Sequence, residues 1–109
     1  MLNNESLFSK TENLEQNLIS LLRDNGVEDF ETKEALNKWL KNKESLIESA
    51  DDIGLAKINF TLECARLYSK AGLRDLALQN FQQARLDAWQ EDRNELYKQI
   101  ISEMDAVKK

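Results

Sequence analysis

The segment from Ala65 to Ala84, ARLYSKAGLRDLALQNFQQA, constrains the fold more than any other part of the chain. Ala65 and Tyr68 lie ahead of Gly72. Ala77, Phe81 and Ala84 follow it at i, i+4, i+7, the spacing of one helical face. Small residues on such a face let two backbones approach closely, and an aromatic fills the space between them. Glycine at the bend suits a left-handed helix end. The segment predicts two helices folded back on each other.

The remaining sequence extends this pattern in both directions. With 3 Gly and no Pro in 109 residues, the chain lacks the punctuation that many short strands require. The expected fold class is all-α, five antiparallel helices in one domain over residues 1–109. Ser9 and Glu12 have capping-box spacing, so the first helix is expected to start near Ser9, carry Leu14, Leu18, Leu21 and Leu22, and end at Asn25-Gly26. A second is expected from Asp29 or Thr32 to Ala50, with Leu36, Trp39, Leu40 and Ile47 on its apolar side. Asp51-Asp52 caps a third, from Ile53 to Ala71. This helix is apolar on two sides: Ala56, Phe60, Cys64, Leu67 and Ala71 form one stripe, and Ile58, Leu62 and Ala65 another. Helices of that kind are covered from two directions. A fourth helix runs from Leu73 to Ala88 or Trp89, and both Trp39 and Trp89 are expected as core or hairpin-edge anchors. The fifth is expected to open at Asp92 through a capping box with Glu95, and it carries the single stripe Leu96, Ile100, Met104 and Val107. One stripe suits a terminal capping helix.

Composition narrows the chemistry. There is no histidine and one cysteine, so Ser–His and Cys–His nucleophile pairs and the usual zinc ligand sets are excluded. No cofactor or metal is expected, nor catalysis. Cys64 has no partner for an internal disulfide, which suits a reducing compartment, and its place on an apolar face predicts an inert core thiol. The net charge of −5 argues against nucleic acid or an anionic membrane as partner. All of that charge resides in residues 1–31, and the remainder sums to zero. Lys33, Lys38, Lys41 and Lys43 make a local basic patch on the second helix, without the aromatic ladder or glycine-rich loop of a nucleic-acid or phosphate site. Met1–Lys10 has neither a basic start nor an apolar centre, and no run is long enough to span a bilayer, so a cytoplasmic location is expected.

Over residues 58–91 the chain resembles a tetratricopeptide repeat, a helical hairpin of about 34 residues. Ala65 matches the small residue where the paired helices meet, Tyr68 the aromatic that follows, and Gly72 the turn glycine. Ala77, Phe81 and Ala84 match the small–aromatic–small face of the second helix. Thr61, Arg74 and Trp89 depart from the pattern. A fainter copy lays residues 21–26 on 67–72 and Trp39 on Phe81. The resemblance implies an α–α superhelix of two hairpins plus a C-terminal capping helix. A plain helical bundle, in which AxxxFxxA reflects close packing alone, is the alternative.

In a stacked-hairpin protein the first helix of each pair lines the concave side. The resemblance thereby places Asn59, Leu62, Arg66, Ser69 and Lys70 on a partner-binding face. Arg66 and Lys70, one turn apart, are suited to grip a carboxylate together with the Asn59 amide. Solvated charges pairing with nearby acids are the plainer reading of the same residues. Two functional classes follow: an adaptor or chaperone-like module that holds a peptide or helix, and a small helical regulator that blocks a partner or acts as an oligomer. A homodimer would enlarge the short groove.

Overall fold

A computed structural model describes residues 2–108, with side chains from Leu14 onward. The described residues form five helices: α1 Leu2–Asn25, α2 Phe30–Glu48, α3 Ile53–Lys70, α4 Arg74–Gln90 and α5 Asn94–Lys108. Connections of three or four residues turn each helix back onto its predecessor, the geometry that short loops impose on neighbouring helices. The all-α, five-helix expectation holds.

Local chemistry explains most of the boundaries. The Asp29 carboxylate accepts the Thr32 N–H at 3.1 Å and starts α2, and Asp52 accepts the Leu55 N–H at 3.1 Å and starts α3. Gly26 (φ 84°) ends α1, its N–H donating to the Leu22 carbonyl at 3.2 Å. Gly72 (φ 80°) ends α3 with two bonds, Gly72 N–H to Ser69 O at 3.1 Å and Leu73 N–H to Tyr68 O at 2.9 Å. A side chain at either glycine would meet open space, so the left-handed backbone alone is what calls for glycine there.

Two expected starts are corrected. Helix α1 already runs from Leu2, so Ser9 and Glu12 lie within it rather than at its beginning. Asp92 does not cap α5. It adopts φ 56°, and the bonds Asp92 N–H to Trp89 O (3.2 Å) and Arg93 N–H to Ala88 O (2.9 Å) repeat the two-bond closure seen at Gly72. An N-cap residue needs an extended backbone, which a left-handed residue cannot supply. Asp92 therefore terminates α4, and α5 begins at Asn94.

Helix α3 divides the core. On one side Ile58, Leu62 and Ala65 pack against Ala77, Phe81, Ala84 and Ala88 of α4 and against Ile100 and Met104 of α5. On the other, Cys64, Leu67 and Ala71 pack against Leu18, Ile19 and Leu22 of α1 and Trp39 of α2. The three alanines of α4 have no exposed surface, and Phe81 between them is 2% exposed. Burying a side chain of that size contributes about 1.5–3 kcal/mol. The two-sided pattern of α3 thus corresponds to two half-cores, and the single stripe of α5 to one contact with the α3–α4 hairpin. Trp39 is buried as expected, whereas Trp89 is 64% exposed and anchors no part of the core.

Candidate functional site

The five residues expected on one binding face do not stay together. Leu62 is corrected outright: it is 1% exposed and belongs to the core with Phe81 and Ile100. Its place on the Ile58–Leu62–Ala65 stripe already pointed inward, and the α4 contact covers it. Asn59 is exposed but opens toward α2, on a groove of about 190 Å³ lined with Leu46, Ile47, Ala56 and Phe60. Arg66, Ser69 and Lys70 remain grouped around a depression of about 230 Å³ facing α5, whose other walls are Phe81, Glu103, Ala106 and Val107.

Arg66 is not a free cation. Its Nε donates to Glu103 Oε1 at 2.8 Å and its Nη2 to Glu103 Oε2 at 2.9 Å, a fork that fixes the guanidinium plane. These hydrogen bonds raise the Arg66 pKa above its ordinary value, with the Glu103 and Glu63 charges adding to the effect. Glu103 lies 37 residues further on. No local spacing announces that partner, so the sequence could not show it. Lys70 is exposed and makes no ion pair among the described residues, and Ser69 is half-buried beside it. The depression therefore offers one available ammonium, one hydroxyl and an apolar floor.

A second concavity, of about 250 Å³, lies between α1 and α2. Leu14, Leu21, Ala35 and Trp39 give it an apolar lining, while Glu31, Glu34, Lys38 and Lys43 stand among its polar residues. Its signal in the sequence was the pair of apolar stripes on α1 and α2, but only their packing separates a groove from a closed contact.

The basic patch on α2 is likewise divided. Lys33 pairs with Glu28 at 3.3 Å, and Lys43 pairs with Glu63 of α3 at 2.6 Å while lying 5.5 Å from the Trp39 ring centre. Lys38 and Lys41 make no ion pair among the described residues. Cys64 is buried, and burial, reinforced by the Glu63 charge, pushes its thiol up to about 11. Its thiolate is scarce at neutral pH.

Among the described residues no three His, Cys, Asp or Glu side chains gather as a metal site would need, and no helix is long and apolar enough to cross a membrane. No family model, curated protein or solved structure matches the chain.

Proposed function

We propose that this chain is a non-catalytic protein–protein interaction module, adaptor or chaperone-like, that holds the end of a partner peptide between α3 and α5. The observation that carries this reading is Lys70 and Ser69 standing beside the accessible apolar walls of Ala106 and Val107. A terminal carboxylate would take the ammonium and the hydroxyl, and the last apolar side chain would lie on those walls. Glu103 limits the site by neutralising Arg66, so Lys70 rather than the Arg66–Lys70 pair supplies the main attraction. The glycine-ended α3–α4 hairpin and its buried Ala77–Phe81–Ala84 face support the likeness to a tetratricopeptide unit. A reducing compartment such as the cytoplasm suits the single buried thiol. The second reading, a small helical regulator that acts as an oligomer or blocks a partner, draws on the exposed charges of α2.

Fluorescence anisotropy with short labelled peptides ending in an apolar residue tests the first reading. Peptides with a free C-terminus should bind, and their amidated counterparts should bind far more weakly. Lys70→Glu, alone or with Arg66→Glu, should remove binding, while Glu103→Gln should strengthen it by freeing Arg66. Equal binding of free and amidated peptides, or wild-type binding by the double variant, would overturn the assignment.

A further inference from the structure

We propose that α2 is a self-association surface that pairs antiparallel with α2 of a second copy of this chain. Glu31, Glu34, Lys38 and Lys41 occur at i, i+3, i+7 and i+10, which places all four on one stripe along the helix. All four are exposed, and none makes an ion pair among the described residues. The other two lysines of the patch are already engaged, Lys33 by Glu28 and Lys43 by Glu63. The uncommitted charge of the patch is thus confined to the stripe.

The order of signs matters more than their number. Glu31 sits one turn from Glu34, and Lys38 one turn from Lys41, while Glu34 and Lys38 at i, i+4 are the unlike neighbours in the middle of the stripe. A second α2, turned end for end about the level of residue 36, sets Glu31 against Lys41 and Glu34 against Lys38. A two-fold contact makes every such pair twice. From Glu31 to Lys41 the stripe runs about 15 Å along the helix. A parallel partner in register would oppose Glu31 to Glu31 and Lys38 to Lys38. An antiparallel partner displaced by seven residues would oppose Lys38 to Lys41. A parallel partner displaced by seven residues would set Glu31 against Lys38 and Glu34 against Lys41, but only once each and without two-fold closure. The antiparallel register therefore makes the most unlike pairs. Apolar surface borders the stripe, with Leu14 52% exposed in the α1–α2 groove and Phe30 75% exposed beside Glu31. The contact is small and mostly polar, so the dimer is weak and salt-sensitive. This inference uses a surface separate from the α3–α5 depression and stands or falls independently of it.

Sedimentation velocity over a concentration series tests it. The wild-type chain should shift toward dimer at low ionic strength. The shift should disappear as salt rises from about 0.01 M to 1 M, which shortens the screening length from about 30 Å to 3 Å. Glu31→Lys with Glu34→Lys, and separately Lys38→Glu with Lys41→Glu, should each weaken self-association about tenfold or more through like-charge opposition. Mixing the two variants should restore a dimer, and the chain carrying all four reversals should dimerise as wild type does. Circular dichroism of each variant checks that the exposed substitutions leave the helices formed. A wild-type chain that stays monomeric at its highest soluble concentration in low salt would overturn the proposal. So would variants that dimerise alone as well as wild type, or a mixture that does not associate.

Discussion

Arg93, on the α4–α5 turn, donates through Nη2 to both carboxylate oxygens of Asp52, at 2.9 and 3.1 Å, while Asp52 itself caps α3. One carboxylate thus starts a helix and ties it to a turn 41 residues away. The Arg93 Nε also donates to Glu91 at 3.2 Å, and Glu91 comes close to Gly54 in a space that a side chain there would fill. The Leu55 N–H holds the Asp52 carboxyl below its ordinary pKa against the opposing effect of desolvation, and the Arg93 hydrogen bond and charge add to the lowering.

A carboxyl whose folded pKa is depressed stabilises the fold above its unfolded pKa, and the gain is lost as pH falls through the folded value. Wild type should therefore lose a stability increment below the ordinary aspartate range. Asp52→Asn keeps a cap of similar quality and should not show that acid titration, whereas Asp52→Ala should be the less stable of the two at neutral pH. Urea denaturation of the three proteins at neutral pH and across the acid range checks the order and the convergence of wild type with Asp52→Asn.

Asp92 occupies a left-handed position that glycine fills at the end of α3. A non-glycine residue there costs about 1–2 kcal/mol, offset in part by the greater freedom that glycine has when unfolded. Asp92→Gly should raise stability by roughly 0.5–1 kcal/mol, helped by removing an anion from the C-terminus of α4. Gly72→Val should do the reverse and cost at least about 1–2 kcal/mol. Denaturation midpoints at neutral pH measure both.

Ala77 and Ala84 have no exposed surface at the α3–α4 contact. Leucine at either position must displace Phe81 or push the helices apart, at a cost of roughly 1–3 kcal/mol. The same substitution at exposed Gln82 should leave the midpoint nearly unchanged. Thermal or urea melts of the three variants would show whether the contact is as close as the alanines imply.

With its pKa pushed up to about 11 by burial, Cys64 holds far less thiolate at neutral pH than an ordinary thiol, and burial blocks access as well. Labelling by a thiol reagent at pH 7.5 should be slow in the native chain and fast in denaturant. A native rate close to that of a free thiol would place Cys64 outside the α1–α2–α3 core.

The sequence by itself determined the helices and their inward faces. Asp52 stood where a cap belongs, Gly26 and Gly72 where left-handed ends belong, and the stripes of α3 named both half-cores, because each of these signals is local and lies within one or two turns. Asp92 was misread because it has capping-box spacing to Glu95, and only the backbone dihedral separates a left-handed end from a helix start. The candidate site was legible in part. Arg66, Ser69 and Lys70 did share a face, and the apolar stripe already marked Leu62 for the core, but the Glu103 fork and the diversion of Asn59 toward α2 depend on which helices lie alongside α3. Tertiary structure decided which charges are spent and which remain available. A partner such as Glu103 for Arg66, or Asp52 for Arg93, is brought near by chain reversal and has no fixed spacing along the sequence.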